Sequence, residues 1–247
     1  MFDGDDDQSA IPVAVLDSPA FAGARNEIRG IAAAGRAEAE GYAREAGFYD
    51  GFVKRPLDIL LVLMSVPVAL VLVVVFAAAV GFLGGMPFYA QDRVGKGGRT
   101  FRMWKIRSMV ADADAVLKDY LGRNPDKAEE WTHKQKLDQD PRVTALGRFI
   151  RRTSIDEVPQ LWNVLRGDMS LVGPRPMMVN QRDLYPGSAY FHLRPGLTGL
   201  WQISGRNDVS FKSRARFDSD YESNLSFRED VRIILETVRV VCRATGK

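Results

Sequence analysis

Two adjacent carboxylates, Asp156 and Glu157, lie in a part of the sequence whose residue types suit phosphate chemistry. The surrounding stretch reads TSIDEVPQLWNVLRGDMSLVGPRP. Arg151 lies just before it, and Arg175 stands near its end between two prolines that stiffen the loop. Guanidinium groups bind phosphate oxygens two at a time, and a carboxylate can attack or orient a phosphoryl group. The pattern therefore favours a phosphate-handling site over a purely structural one.

The position of Pro159 restricts where the helix after these carboxylates can begin. Ser154 and Glu157 match a capping box, but with Ser154 as N-cap Pro159 would obstruct the fifth helical position. With Asp156 as N-cap, Pro159 falls in the first turn and is tolerated. We therefore expect Asp156 at the N-terminus of a helix over residues 157–166. Unpaired N–H groups there carry partial positive charge, which favours bound phosphate.

An apolar segment dominates the elements that must position this site. Residues 57–84 contain a single charge, Asp58, and exceed the ~18 apolar residues typical of a membrane helix. More than fifty residues precede the segment, which is not the arrangement of a signal peptide. Pro67 removes a helical hydrogen bond, and the Ser65 hydroxyl can donate to a freed carbonyl. The sequence therefore predicts a membrane helix that is kinked at Ser65 and Pro67.

Basic residues flank the apolar segment on both sides. Lys54 and Arg55 precede it, and six further Lys and Arg residues lie between positions 93 and 107. Because such residues collect on the cytoplasmic side, both ends of the segment are expected there. A bent, re-entrant helix satisfies this pattern, although the residues alone leave a straight span open. We also expect Asp58, one turn after Arg55, to pair with it.

Composition excludes several kinds of site. The single cysteine, Cys242, excludes an internal disulfide, and two histidines, His133 and His192, argue against a multi-histidine zinc site. Residues 1–53 are acidic, whereas the rest of the chain is basic and suits an anionic partner. No recognised nucleic-acid module is present, so we expect no nucleic-acid partner.

The chain divides into four predicted parts. Residues 1–19 form an acidic, disordered tail, and residues 20–53 an Ala-, Glu- and Arg-rich helical appendage. The membrane segment covers residues 54–85. A cytosolic domain follows over residues 86–247, in which short Gly- and Pro-punctuated segments alternate with helices. The predicted class is α+β, mainly helical, with a small β element.

Three segments of this last part have a local interpretation. The GKGGR stretch at 95–99 lacks the spacing of a phosphate loop and predicts a hairpin turn. Residues 227–243 have the period of an amphipathic helix, which either packs on a core or lies in the headgroup plane. The Gly-rich stretch at 194–208 permits close backbone approach and places Gln202 and Arg206 as candidate substrate contacts.

Several motifs together resemble the bacterial sugar transferases, the monotopic phosphoglycosyl transferases. They cover the chain from about Lys54 to Gly246. The insertion around LKDYLGRNPDKAEEWTHKQKLDQDPRVT resembles the branch that contains undecaprenyl-phosphate galactose phosphotransferases and exopolysaccharide-initiating enzymes. The motifs are KRPLD, FYAQDRVGKGGRTFRMWKIRSM, DPRVTALGRFIRRTSIDEVPQLWNVLRGDMSLVGPRP and RPGLTGLWQISGRND.

The resemblance implies a reaction and a fold. A hexose 1-phosphate, with galactose or glucose as the sugar, would move from a UDP-sugar to undecaprenyl phosphate, releasing UMP as the first membrane step of surface-glycan synthesis. Asp156 would be the nucleophile that forms an aspartyl-phosphosugar and would bind Mg²⁺, with Glu157 as its acidic partner. The fold would be monotopic, with a re-entrant helix and interfacial helices.

The resemblance also implies partners and a location. The protein would contact membrane lipids at the cytoplasmic face of a bacterial inner membrane, and a homodimer is a further expectation. Substrate-contacting residues are expected at Lys105, Arg107, Arg151, Arg175, Gln202, Arg206 and Asp218.

Overall fold

Helices make up most of the chain that the computed structural model describes, namely residues 47–134, 137, 139–204 and 211–242. The predicted tail and nearly all of the predicted appendage lie outside these residues. The helices are α1 (Lys54–Phe82), α2 (Ala113–Arg123), α3 (Pro125–Lys134), α4 (Ala145–Arg152), α5 (Gln160–Arg166), α6 (Ala189–His192), α7 (Leu200–Ile203), α8 (Phe211–Ser223) and α9 (Phe227–Cys242). The strands are β1 (Phe88–Val94), β2 (Thr100–Ile106), β3 (Ser170–Val172) and β4 (Gly196–Thr198).

The apolar segment forms α1, a helix of 29 residues with Pro67 inside it. The Ser65 hydroxyl donates to the Val62 carbonyl at 2.8 Å, one residue before the carbonyl that Pro67 leaves without its usual donor. The helix is continuous through Ser65 and Pro67, so the predicted kink at these residues stays a prediction. Most large side chains along the middle of the helix are exposed. Among the described residues, this helical stretch is the one long and apolar enough to cross a membrane.

The start of α1 is anchored in the body of the protein. Arg55 donates to the carbonyls of Val164 and Leu165 at 2.5 and 2.9 Å, in the last turn of helix α5. Asp58 accepts from the Ser170 hydroxyl at 2.7 Å and from a backbone N–H of β3 at 3.2 Å. The predicted Arg55–Asp58 pairing was therefore wrong, because each side chain binds a more distant segment instead.

Strands β1 and β2 form an antiparallel hairpin. Phe88 pairs with Ile106 at its open end, and Val94 pairs with Thr100 next to the turn. The turn contains the GKGGR stretch, which confirms the predicted hairpin. Gly97 has a φ of 66°, a conformation that favours glycine. The hairpin brings Lys105, near the end of β2, toward the segment after α4.

Strands β3 and β4 pair in parallel, and glycines make this pairing close. A Cβ on Gly196 would lie 2.1 Å from the backbone nitrogen of Gly173, and one on Gly199 would lie 2.2 Å from its carbonyl oxygen. Any side chain at these positions would push the two segments apart. The Gly-rich stretch thus packs directly on the loop that carries Arg175, as the glycines predicted.

The amphipathic pattern near the C-terminus forms α9, which has two different apolar faces. Ile233 is fully buried in a cluster with Val172 and Tyr221, so one face packs on the core. Leu235 and Val238, from the periodic set that predicted the helix, are more than half exposed. The helix therefore packs on the body and also presents an apolar strip outward.

Candidate active site

The carboxylate pair lies in a short 3-10 turn, Ile155–Glu157, between α4 and α5. The predicted helix over 157–166 was wrong at its start, because α5 begins at Gln160 with Pro159 as its N-cap. Pro159 has no N–H to donate to the Ile155 carbonyl, so that carbonyl accepts from Val158 in a tighter turn. Asp156 therefore precedes the helix by a full turn and is not its cap.

Ser154 introduces this turn in a left-handed conformation, with a φ of 56°. A non-glycine residue in this region is uncommon and costs conformational energy. Such residues are concentrated at functional sites, where the surrounding structure holds them in place. The strained backbone at Ser154 therefore supports a functional role for the two carboxylates that directly follow Ile155.

Lys105 connects the two carboxylates. Its Nζ donates to Oε1 of Glu157 at 2.8 Å and lies 3.5 Å from Oδ2 of Asp156. Asp156 is buried, with 8% of its surface exposed, whereas Glu157 is partly exposed. The described contacts of the Lys105 side chain are thus to the carboxylates, and its predicted contact with a substrate phosphate stays a prediction.

The two carboxylates differ in their electrostatic surroundings. Burial raises the pKa of Asp156 above its ordinary value, and the charge of Glu157 adds to this, while Lys105 opposes it. Burial also acts to raise the pKa of Glu157, but Lys105 and then Arg175 outweigh it, so its pKa is lowered. Glu157 is therefore firmly ionised, and Asp156 depends on nearby cations for its charge.

Arg151 is one of those cations and approaches Asp156 from the last turn of α4. Its Nε donates to the Ser108 hydroxyl at 2.7 Å, which fixes the direction of the guanidinium group. The Thr144 hydroxyl accepts from the Gly147 N–H at 2.9 Å and caps the helix at its other end.

Arg175 approaches the pair from the Gly-Pro-Arg-Pro loop after β3. Its guanidinium carbon lies 4.2 Å from the centre of the Trp201 ring, a cation–π contact. The Trp201 ring thus packs against the guanidinium group of Arg175. Arg175 is also close enough to lower the pKa of Glu157. The structure therefore brings Lys105, Arg151 and Arg175 together around the two carboxylates.

For the remaining predicted site residues, the structure describes no contact with Asp156 or Glu157. Asp218 in α8 is buried and accepts from the Tyr185 hydroxyl at 2.8 Å, and burial raises its pKa to about 7. Gln202 has a buried Oε1 for which the described part of the chain provides no hydrogen-bond partner. Arg107 is partly buried, and its backbone N–H donates to a carbonyl before β1. Arg206 lies outside the described residues.

Two arginines near the site were not predicted as substrate contacts. Arg214 lies one turn before Asp218 in α8 and interacts electrostatically with both Asp218 and Arg175. Arg93, in β1, interacts electrostatically with Glu157. The i, i+4 spacing of Arg214 and Asp218 was a usable signal. For Arg93 the only signal in the sequence was its place in a generally basic stretch.

The described residues do not form a preassembled metal cage, since no group of three His, Cys, Asp or Glu side chains comes together in them. Mg²⁺ is commonly held by one or two carboxylates together with substrate phosphates and water. Asp156 and Glu157 fit that mode of binding. They do not fit a metal site that is complete without substrate.

Comparison with known proteins places the chain in a family. The family model described as bacterial sugar transferase matches residues 49–244. A UDP-galactose-lipid carrier transferase of Erwinia amylovora is 46% identical over 197 residues, which cover 79% of this chain and 41% of that protein. An undecaprenyl-phosphate galactose phosphotransferase of Salmonella typhimurium is 45% identical, with the same two coverages. The chain thus spans less than half the length of these two relatives.

A shorter relative matches over most of its own length. The exopolysaccharide production protein ExoY of Rhizobium meliloti is 44% identical over 199 residues, which cover 79% of this chain and 88% of that protein. The matched region contains the membrane segment, the carboxylate turn and the arginine loop. The resemblance predicted from the motifs is therefore confirmed: the chain belongs to the bacterial sugar transferase family.

Proposed function

We propose that this protein transfers a hexose 1-phosphate from a UDP-sugar to undecaprenyl phosphate and releases UMP. The observation that carries the proposal is the buried Asp156 carboxylate, which shares Lys105 with Glu157, with Arg151 near Asp156 and Arg175 near Glu157. A site that only binds an anion gains nothing from two carboxylates, which would repel it. A site that attacks a phosphorus atom needs a carboxylate and the cations that offset the repulsion.

In the first step, an Oδ atom of Asp156 attacks the β-phosphorus of the UDP-sugar. The bond from that phosphorus to the bridging oxygen breaks, and UMP leaves with the oxygen and the electron pair. The product on the protein is a sugar phosphate joined to the Asp156 carboxyl group as an acyl phosphate. Arg151 and Arg175 are two of the described residues whose charge can offset that of the diphosphate during this step.

In the second step, a phosphate oxygen of undecaprenyl phosphate attacks the same phosphorus atom. The bond to Asp156 breaks, which regenerates the carboxylate and forms a lipid diphosphate sugar. No proton needs to be removed, since the attacking phosphate is already ionised. Glu157, whose pKa is lowered, is a poor proton acceptor, so we assign it an orienting role through Lys105.

Magnesium is part of the proposal. Asp156 and Glu157 would hold it jointly with the substrate diphosphate, where it would neutralise charge on the phosphate oxygens. The carboxylates would then be shared between the cation and Lys105, which is already within reach of both.

The apolar helix α1 would hold the site at the membrane. Val62 belongs to a buried cluster with Met103, and Val80 belongs to another with Ile106. A straight helix would separate these valines by ~27 Å, whereas Met103 and Ile106 lie only about 10 Å apart along β2. These contacts support a re-entrant helix bent near Pro67, with both ends on the cytoplasmic side.

The outward apolar strip of α9 supports the same arrangement. Phe227, Leu235 and Val238 are more than half exposed, and Arg232 and Arg239 have exposed side chains on the same helix. Apolar residues bordered by arginines are typical of a helix that lies in the headgroup plane. The active site would thus face the leaflet that contains the lipid phosphate, which we propose is the cytoplasmic leaflet of a bacterial inner membrane.

The names of the relatives support the choice of substrates. The Erwinia and Salmonella proteins are named for UDP-galactose, a lipid carrier, galactose and undecaprenyl phosphate, and ExoY for exopolysaccharide production. We therefore propose a galactose or glucose donor and a role at the start of exopolysaccharide synthesis. A homodimer stays a prediction.

The test is UMP release by detergent-purified protein with undecaprenyl phosphate, Mg²⁺ and a panel of UDP-sugars. We expect UMP from one sugar, and none from Asp156→Asn, which should still bind that UDP-sugar. Asp119→Asn, an exposed substitution of the same type in α2, is the matched control and should keep full activity. Absence of UMP from folded wild-type protein with every donor, together with retained binding, would instead support a non-catalytic binding protein.

A further inference from the structure

Arg93 has a side chain that its structural contacts only partly explain. The residue lies in β1, and its Nη1 donates to the Pro176 carbonyl at 3.3 Å. A second guanidinium nitrogen donates to the Gln91 side chain. The Nε atom is buried and has no hydrogen-bond partner among the residues that the structure describes. A buried donor without a partner carries an uncompensated desolvation penalty, which a partner that binds from outside the chain would remove.

The contacts of Arg93 attach it to the loop that carries Arg175. Pro176 directly follows Arg175, and the Val94 N–H donates to the Met177 carbonyl at 3.0 Å. The loop is held on its other side by the contact of Arg175 with Trp201. Both arginines are thus fixed in direction by neighbours other than a carboxylate.

In the described part of the chain, Glu157 is the carboxylate that interacts with both arginines, and one carboxylate does not balance two guanidinium charges. Arg93 and Arg175 both interact electrostatically with Glu157, but the described hydrogen bond of that carboxylate is to Lys105, at 2.8 Å. Arg214 adds a further positive charge close to Arg175. Bringing guanidinium groups together at a partly buried place is unfavourable unless an anion occupies it. A phosphate group, which accepts paired N–H donors, fits this requirement.

We propose that Arg93 is a further substrate-contacting residue, which with Arg175 holds a phosphate oxyanion beside Glu157. This inference rests on the proposed function, since two phosphates could occupy the subsite. One is the phosphate that leaves as part of UMP, and the other is the phosphate of the polyprenyl lipid. The chemistry of recognition is the same for both.

The test measures binding without turnover. The variants Arg93→Gln and Arg93→Lys are made in the Asp156→Asn protein, and Arg99→Gln, exposed in the hairpin turn, is the matched control. Affinity for UMP and for polyprenyl phosphate is measured separately by the shift that each ligand causes in thermal unfolding. Loss of a charged hydrogen bond predicts binding that is weaker by about tenfold or more in Arg93→Gln.

The two ligands distinguish the two sources. Weaker binding of UMP alone would assign the subsite to the nucleotide phosphate, and weaker binding of the lipid alone would assign it to the acceptor. The same loss in a folded Arg93→Lys protein would show that the paired donors matter, even if Arg93→Gln proves unstable. Unchanged affinity for both ligands in Arg93→Lys and in any folded Arg93→Gln protein would overturn the inference. The proposed function would be unaffected, because UMP release by the wild-type protein tests that separately.

Discussion

At the scale of single residues, the central question is how a buried carboxylate remains available as a nucleophile. Asp156 needs its negative charge to attack phosphorus, yet burial and the adjacent Glu157 favour its protonated form. Lys105 opposes both effects from 3.5 Å, and Arg151 assists it. Because Lys105 also binds Glu157, its ammonium group lowers the pKa of both carboxylates relative to the effect of burial.

The first prediction concerns Lys105. In Lys105→Gln the pKa of Asp156 should rise further, because the largest opposing charge is gone while burial remains. Activity that needs ionised Asp156 should then fall most at acid pH and recover partly as the pH rises. The measurement is the pH profile of kcat/KM for UMP release, whose acidic limb should move to higher pH.

Lys105→Arg is the control for this shift. It keeps a positive charge next to the carboxylates, so the acidic limb should stay near its wild-type position even if the maximal rate falls. If Lys105→Gln lowered the rate equally at every pH, Lys105 would not control the ionisation of Asp156.

At the scale of elements, the start of α1 is connected to the C-terminal half of the chain by buried polar contacts. Asp230 of α9 accepts from Lys54 at 2.5 Å and from the hydroxyls of Tyr49 and Tyr221 at 2.6 Å each. The Tyr221 hydroxyl also lies 3.2 Å from the Val172 carbonyl, directly before the loop with Arg175. The membrane helix, α9 and the active-site loop therefore share one network.

The second prediction is that Asp230→Asn destabilises the protein strongly. The change removes the carboxylate that the buried ammonium group of Lys54 contacts, and breaking a buried pair in this way costs about 3–5 kcal/mol. Thermal unfolding in detergent should show a marked decrease in Tm. Glu229→Gln, next in sequence, breaks only an exposed pair with Arg232 and should change the Tm little. Equal effects of the two substitutions would contradict the account of the network.

The sequence predicted the elements whose signals are local. The apolar run predicted α1, and the glycines of GKGGR predicted the hairpin turn. The helical period of the apolar residues near the C-terminus predicted α9, namely Val231, Ile234, Leu235 and Val238. The predicted start of α5 was wrong because Pro159 is itself the N-cap, so the helix begins at Gln160 and not at Glu157. Local patterns thus identified these elements but not every boundary.

Contacts between distant residues could not be read from the sequence. The partners of Asp58 and Lys54 are 112 and 176 positions away, and Lys105 lies 52 positions from Glu157. The spacing of Arg55 and Asp58 predicts that they pair with each other. In the structure each side chain instead forms hydrogen bonds with a distant segment. The carboxylates and their flanking arginines were predictable as a site, whereas the approach of Arg93 depended on the hairpin packing against another loop.

At the scale of the whole molecule, the protein combines a largely exposed apolar helix with a body that anchors both of its ends. Buried clusters include Val62 near one end of α1 and Val80 near the other. The exposed middle of the helix and the apolar strip of α9 would both be unfavourable in water. A bilayer surface would cover both while leaving the polar site accessible to a soluble nucleotide sugar.

The third prediction follows from this arrangement. Single cysteines at the exposed positions of Phe48 and Met86, on either side of α1, should both be cytoplasmic in a Cys242→Ala background. A membrane-impermeant maleimide should then label both in inverted vesicles and neither in intact spheroplasts. A cysteine in place of Lys96, in the hairpin turn, serves as the cytoplasmic reference. Labelling of Phe48→Cys and Met86→Cys from opposite sides would contradict the re-entrant helix.

The most direct test of the central claim is a single-turnover experiment without the lipid acceptor. Purified protein is mixed with Mg²⁺ and its preferred UDP-sugar, and the amount of UMP released per protein molecule is measured. The mass of the tryptic peptide that contains Asp156 is determined in parallel by mass spectrometry. The account predicts one UMP per active molecule and a phosphosugar on Asp156 that disappears when undecaprenyl phosphate is added. UMP formed only when both substrates are present, with Asp156 unmodified, would contradict a covalent intermediate and indicate direct transfer to the lipid.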